Sequence, residues 1–375
     1  MFKTAIVHDS LREFGGAEKV VEHWLSTNPK AHIYTLCFRP EVFAESKLYM
    51  RAWREGRITT TFEQKYCEQK WYQKLFKLLV PLHVWAMKKL RVRGYQKVLV
   101  SSVYFAKFVS IEKPETLVHY CHSPSRFLHG LQTELDRNTL NPVVRWIEKL
   151  LLPGLKRDDV RAAQKLTDLD AEWQCNSHFM QAEIKLAYGV TAQIVYPPIE
   201  LEKYSKIMRN IDIADPFYLY FGRVGGHKRV DLAIKACLEM GRKLMVSGGF
   251  SSDAEKERCQ TIVSQHPNGN QLITFLGRQS FEQNVILFSQ CRAFLFPGKE
   301  DFGITPVEML GAGIPVIAYG EGGSREYMRD GENGVLFGVQ SVESLKTAIQ
   351  TFENREWDEK TIRASVAGFA KPRIW

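Results

Sequence analysis

Short apolar runs alternate with helix-length segments of mixed polarity along almost the whole chain. In the first half, KTAIVHDS, HIYTLCF, QKVLVSS, TLVHYCHS, EWQCNS and QIVYPPI read as strands; in the second half, FYLYFGR, KLMVSGG, LITFLG, AFLFPG, PVIAYG and GVLFG do the same. Between the later runs the spacing predicts helices over 228–240, 253–265, 281–290 and 305–313. Strands that are apolar nearly throughout belong to parallel sheets covered on both faces. The series restarts near residue 216, after YPPIELEKYSKIMRNIDIADP, whose proline pair and polar residues mark a linker. The pattern predicts two doubly wound α/β domains, 1–205 and 216–355, with 356–375 a last segment that could cross back onto the first. In such sheets ligands bind beyond the carboxyl ends of the strands, here expected in a cleft between the domains.

Composition narrows the class. The chain has 375 residues, 45% hydrophobic and 25% charged, enough for two domains with a core each. No run of about 18 apolar residues is present to form a transmembrane helix. The N-terminal MFKTAIVHDS reads as a buried strand, not a signal peptide. Seven scattered cysteines form no CxxC pair, so neither a zinc knuckle nor a disulfide framework is indicated, and a reducing cytoplasm is expected.

The net charge of +9 changes the picture, because its excess is local. Lys65, Lys70, Lys74, Lys77, Lys88, Lys89, Arg91, Arg93 and Lys97 are opposed nearby only by Glu63 and Glu68. Interleaved are Trp71, Tyr72, Leu75, Phe76, Leu78, Leu79, Leu82, Trp85 and Leu90. Basic residues among aromatic and aliphatic ones suit an interfacial helix on an anionic membrane. The plainer alternative is a solvated helix face whose apolar side packs on the core. Nucleic acid is not expected as a partner.

The chemistry concentrates in PGKEDFGITPVEMLGAGIPVIAYGEGG, residues 297–323. A strand ends near Pro297, Glu300-Asp301-Phe302-Gly303 form a loop, and a helix is expected with Thr305 at N-cap, Pro306 at N1 and Glu308 at N3. A Thr-x-x-Glu capping box alone would account for Glu308. A glycine-containing loop entering a helix is also an anion site, and carboxylates beside it suit the hydroxyl donors of a sugar. Glu300 and Glu308 stand in an E-x7-E arrangement within this stretch, which resembles the donor site of retaining GT-B glycosyltransferases of family four. In detail it resembles the bacterial mannosyltransferases of O-antigen and exopolysaccharide assembly. The resemblance places Glu300 against the donor sugar and Glu308 on the ribose hydroxyls, with Asp301, Phe302, Gly303, Ile304 and Thr305 completing the donor loop.

A second motif, FGRVGGHKRVDLAIKA over residues 221–236, is a strand, a loop with Gly225 and Gly226, and a helix. Arg223 and Lys228 lie at the turn, where fixed cations can stabilise a departing diphosphate without a metal ion. By the resemblance these two grip the diphosphate. The family often has Glu-Lys-Gly where this chain has His227-Lys228-Arg229, so the lysine is kept and Arg229 has no assigned role. A plainer reading makes them surface basics at a helix start.

In FGGAEKVVEHWL, residues 14–25, a glycine pair follows the first strand and precedes an amphipathic helix. The resemblance gives Gly15 and Gly16, with Glu18, to a loop facing donor phosphate or acceptor. In VHYCHSPSRFLHG, residues 118–130, His119 and His122 follow a strand. Residues three apart on a strand point to opposite faces, which weakens a metal pair. The resemblance makes His122 the residue facing the transferred sugar; a structural histidine bonding its own loop is the alternative. Asp168 and Asp170 form a DxD pattern, but at a helix end. P-loop, HExxH, serine-elbow and GxGxxG dehydrogenase patterns are lacking.

The resemblance is strong over 217–338 and looser before 115. It implies a GT-B fold and metal-independent, retaining transfer of a hexose from a nucleotide-sugar donor, with mannose from GDP-mannose the first choice. No cofactor or metal is implied. The acceptor would be a growing lipid-linked bacterial surface glycan, and the enzyme cytoplasmic and peripheral on the inner membrane face. Arg223, Lys228, Glu300 and His122 would be the catalytic set. A nucleotide-sugar epimerase and a non-catalytic nucleotide-sugar-binding scaffold stay open as other readings.

Overall fold

The computed structural model describes residues 3–131 and 142–370, without the side chains of Lys77 and of 142–150. The chain divides into two compact units, one over residues up to 198 and one from 199 onward.

The first unit carries β1 (Thr4–His8), β2 (His32–Thr35), β3 (Ile58–Thr60), β4 (Arg91–Val92), β5 (Lys97–Ser102), β6 (Ser110–Ile111), β7 (Thr116–Cys121), β8 (Glu172–Cys175) and β9 (Gln193–Ile194). Its helices are α1 (Gly16–Thr27), α2 (Lys47–Arg54), α3 (Lys70–Leu75), α4 (Val80–Lys89), α5 (Pro142–Asp168) and α6 (His178–Tyr188). The main sheet runs β3-β2-β1-β5-β7-β8-β9 and is parallel throughout. Successive side chains alternate between the two faces of the sheet, and both faces are covered, so the central runs Ala5–Val7 and Val98–Val100 are apolar in every position. Val7, Val98 and Val100 pack with Met87, Leu166 and Ile184 on one face, while Ile6, Leu99 and Val118 pack with Val21 and Trp24 on the other. Each such buried side chain contributes about 1.5–3 kcal/mol.

The second unit adds β10 (Phe217–Phe221), β11 (Lys243–Ser247), β12 (Ile273–Gly277), β13 (Phe294–Phe296), β14 (Val316–Tyr319) and β15 (Gly334–Phe337). Its helices are α7 (Leu201–Ser205), α8 (Val230–Glu239), α9 (Asp253–Ser264), α10 (Gly269–Leu272), α11 (Phe281–Gln290), α12 (Ile304–Gly311), α13 (Val342–Glu353) and α14 (Glu359–Ser365). The sheet order is β12-β11-β10-β13-β14-β15, again parallel. Ile234 of α8 and Leu345, Ile349 and Phe352 of α13 cover the face carrying Leu244, Leu295 and Val335.

Residues 201–207 pack with the second unit, ahead of the linker read from sequence. The segment from 356 as far as 370 does so too, with 371–375 outside the described residues. The guanidinium of Arg363 on α14 ties the pieces together: it donates to the carbonyls of Gly311 at 2.8 Å, Ser205 at 3.1 Å and Ile207 at 2.6 Å. A helix end leaves carbonyls without intrahelical partners, and this arginine supplies donors to the ends of both α7 and α12.

Candidate functional site

In each sheet the strand order reverses direction once, between β1 and β5 and between β10 and β13. Loops leaving the carboxyl ends of strands on either side of such a point diverge and open a place for a ligand. Both clusters of candidate residues lie there.

In the second unit, β10 leads into a turn at Gly226–Lys228, closed by Arg229 at φ 51° before α8 begins. The loop after β13 comes against this turn at Gly298. A Cβ there would lie 2.9 Å from both the His227 carbonyl oxygen and the Lys228 Cα, so only glycine allows the approach. The result is an ion pair: Lys228 Nζ is 2.8 Å from Glu300 Oε1, with His227 Nε2 3.7 Å from the same oxygen. The pair is only partly shielded, the lysine side chain 23% and the glutamate 11% exposed, which leaves it open to a ligand. Gly323 holds the loop from its other side. Its N–H donates to the Glu300 carbonyl at 2.8 Å, and a Cβ on it would fall 2.3 Å from the Phe302 Cα. Phe302 is buried against the rings of Tyr327 and Phe369. Arg223 sits nearby on the β10 loop, its carbonyl accepting from the Tyr220 hydroxyl at 2.9 Å.

The start of α12 corrects the sequence reading. Gly303, at φ 87°, is the N-cap, and no side chain caps the helix. Thr305 therefore stands at the second helical position and Glu308 at the fifth, so no capping box forms. Gly303 turns the chain directly into the helix, and Pro306 at the third position needs no hydrogen-bond donor there. Glu308, freed from capping, is buried and bonded by the hydroxyl of Tyr204 on α7. Burial first, and the Glu308 carboxylate second, push the Tyr204 phenol up. Lys228 and the open N–H groups at the start of α12 can take a phosphate, while Glu300 can accept from hydroxyls.

In the first unit Gly15 is the N-cap of α1, and its N–H donates to Glu18 Oε2 at 2.9 Å. The other oxygen of Glu18 is 3.2 Å from His8 Nε2 at the end of β1. His8 Nδ1 lies 3.0 Å from Ser101 Oγ, and Ser101 Oγ lies 2.8 Å from His122 Nε2. Burial, with His8 alongside, pushes the His122 imidazole down to about 3. Next to His8, Asp9 accepts from the N–H groups of Val103, Tyr104 and Ala106 and fixes the loop after β5. Sequence reasoning singled out neither His8, Ser101 nor Tyr204. The first two had a signal, since polar residues close the otherwise apolar strands in VHDS and VLVSS. His119 is fully buried and bonded to Ser102 Oγ at 2.8 Å, apart from this chain of contacts.

The basic-aromatic stretch forms two helices where a single interfacial one was expected. Tyr72, His83 and Met87 pack inward, whereas Trp71, Leu75, Leu78, Leu82 and Trp85 are exposed, the two tryptophans by 48% and 50%. Glu63 is fully buried, held by the Tyr72 hydroxyl and by His83 Nδ1 at 2.7 Å. One of the two carboxylates near the lysines is thus withdrawn from the surface. Of the DxD pair, Asp170 meets Lys113 and Asp168 accepts from Gln164. Among the described residues, no helix is long and apolar enough to cross a membrane.

Residues 205–367 match the family model Glycosyl transferases group 1. The alpha-1,3/1,6-mannosyltransferase ALG2 of Rhizomucor pusillus is 26% identical over 267 residues, 59% of this chain and 54% of that protein. An uncharacterized glycosyltransferase of Methanocaldococcus jannaschii is 30% identical over 162 residues, 42% of this chain and 44% of that one. The chain spans about half the length of these two curated relatives. The structure of Anabaena HepE in complex with UDP and glucose is similar with a TM-score of 0.62 at 17% identity, covering 98% of this chain and 94% of that one. By fold, then, the chain is a GT-B protein, and over residues 205–367 it is similar to the glycosyl transferases of group 1.

Proposed function

We propose that the chain transfers a hexose from a nucleoside diphosphate sugar to a glycan acceptor, with retention and without a metal ion. The observation that carries this reading is the Lys228–Glu300 pair at the strand-order reversal of the second sheet. A bound donor would separate the pair: Lys228 turns to the diphosphate together with Arg223, and Glu300 accepts from the sugar hydroxyls. As the glycosidic bond breaks, charge builds on the diphosphate. The two cations and the start of α12 then stabilise the transition state more than the ground state. The departing phosphate oxygen takes the proton of the attacking hydroxyl on the same face, and His122 orients the sugar.

Mannose from GDP-mannose is the proposed donor, supported by the mannosyltransferase relative. The acceptor we propose is a lipid-linked bacterial surface glycan, reached from the cytoplasmic face with the exposed Trp71 and Trp85 region against anionic lipid.

The test is thermal stabilisation by GDP-, UDP-, ADP- and dTDP-sugars with and without EDTA. A ligand at 100 times its dissociation constant adds about 2.7 kcal/mol. Stabilisation by a GDP-sugar that EDTA leaves unchanged is the expected result. No stabilisation by any donor, or a strict need for metal, overturns the reading of Arg223, Lys228 and the two glutamates.

A further inference from the structure

Glu18, His8, Ser101 and His122 form one hydrogen-bonded chain across the carboxyl ends of β1, β5 and β7, with steps of 3.2, 3.0 and 2.8 Å. Ser101 is fully buried, and His8 and His122 are 2% and 9% exposed, so water does not readily replace these contacts. A serine hydroxyl has one proton. The Oγ of Ser101 could accept from both imidazoles only by sending that proton elsewhere, and among the described residues it meets no other acceptor, so Ser101 donates to one nitrogen and accepts from the other.

That leaves two arrangements. In the first, Ser101 donates to His8 Nδ1 and accepts from His122 Nε2–H. His8 is then neutral, its Nε2–H donates to the Glu18 carboxylate, and His122 Nδ1 is left as an acceptor. In the second, His8 Nδ1–H donates to Ser101, which donates to His122 Nε2. Against an ionised Glu18 this requires His8 to hold both protons, since a bare Nε2 would face a carboxylate lone pair. His122 then carries its proton on Nδ1 and becomes a donor there.

We propose that the charge on His8 sets, through Ser101, which ring nitrogen of His122 holds the proton, and so whether His122 accepts from or donates to its ligand. Neutral His8 makes His122 Nδ1 an acceptor; protonated His8 makes it a donor. His122 itself stays neutral in both arrangements, because burial and the neighbouring His8 oppose its charging. Among the described residues, Glu18 from α1 and His122 from beyond β7 are the titratable groups bonded into the chain at His8. Asp9, next in sequence, is committed to three backbone N–H groups. β2 and β5 bring Thr35 and Ser101 beside His8, and neither titrates. His8, Glu18 and Ser101 are positioning residues. The consequence for a sugar hydroxyl rests on the proposed role of His122, but the coupling of protons does not.

The experiment is side-chain nitrogen–proton NMR of the full chain labelled with 15N-histidine, followed over about pH 5–8, the range in which histidines ordinarily change charge. Signals are assigned by their loss in His8→Gln and His122→Gln. The expected result is an Nε2–H tautomer of His122 at the alkaline end, giving way to Nδ1–H with the midpoint at which His8 gains its proton. Ser101→Ala should abolish the change at His122, and Ser101→Thr should restore it. A His122 tautomer that stays constant across the range overturns the proposal, and so does a Ser101→Ala protein that behaves like the parent. If no nucleotide sugar binds while the coupled change persists, the function assigned to the site fails and this inference stands.

Discussion

Lys228 and Glu300, 72 residues apart in sequence, meet at 2.8 Å because Gly298 lets one loop rest on the backbone of the other. The pairing shapes the outcome of mutating them. If both contact the donor in the transition state, Lys228→Ala and Glu300→Ala each lower turnover of the stabilising nucleotide sugar by about 100-fold or more. Because each also removes the other's partner, the double variant should fall short of the product of the two losses. Steady-state rates of the four proteins check this. Parental turnover in both single variants refutes the assignment.

Gly298→Ala tests the loop contact apart from charge. The added Cβ must move the His227–Lys228 turn or its own loop, since the atoms it would meet, the His227 carbonyl oxygen and the Lys228 Cα at 2.9 Å, belong to the backbone. A displacement of about 1 Å at a reacting centre can lower a rate by about 100-fold. The expected outcome is a fall in kcat of about 10–100-fold in a protein that still unfolds cooperatively, measured by kinetics beside a thermal melt.

Arg229 is one of two non-glycine residues with positive φ among those described, at 51°. For an ordinary residue that conformation costs about 1–2 kcal/mol. Its side chain recovers part of this through Asp231, at 3.3 Å, but Arg258 also reaches Asp231, at 3.5 Å. Arg229→Gly should therefore hold or raise stability, by up to about 1 kcal/mol, or about 2–4 °C in melting temperature for a domain of this size. Arg229→Val, whose branched side chain resists the left-handed region, should lower it by a similar amount. Glycine is thus what this backbone favours at the position.

The same residue shows where the sequence was readable and where it was not. Runs such as VLV at 98–100 and FYLYF at 217–221 announce buried parallel strands because every position is apolar, and the centres of both sheets follow from that. Glu300 and Lys228 were legible because glycine-bearing loops follow their strands. The left-handed Arg229 was not, because the glycines of its loop stand at 225 and 226 and an arginine does not mark a positive φ. The N-cap at Gly303 displaced the expected Thr305 because a loop backbone conformation decided the helix start and no side-chain motif did. Tyr204 was hidden for another reason: it bonds Glu308 from a segment about a hundred residues away, and local pattern does not record such contacts.

The exposed Trp71 and Trp85, with Lys70, Lys74 and Lys89 on the same helices, predict binding to anionic vesicles. Lysines near such a surface contribute about 1 kcal/mol each. Replacing these three by alanine should weaken association about 100-fold, and raised salt should weaken the parent protein likewise. Sedimentation with phosphatidylserine-containing and neutral vesicles reads the difference. Equal binding to both, or none to either, rejects the membrane contact and leaves a solvated helix face.

The buried histidines predict how stability changes with acid. Burial, with Lys107 next, holds His119 well below its ordinary value, and burial with His8 alongside holds His122 at about 3 against an ordinary 6.5. Below about 6.5 the unfolded chain therefore binds protons at both positions that the folded chain refuses, down to about 3 in the case of His122. Stability must fall as pH falls through that window, by about 1.4 kcal/mol per pH unit for each such histidine. Above 6.5 neither form is charged and the contribution is flat. Urea midpoints measured at intervals from neutral pH to about pH 4.5 should decline along this slope. The decline should be shallower by about one proton in His119→Gln and in His122→Gln, provided each folds at neutral pH. An unchanged slope in both variants would show that the two rings are protonated in the folded protein, contrary to their burial.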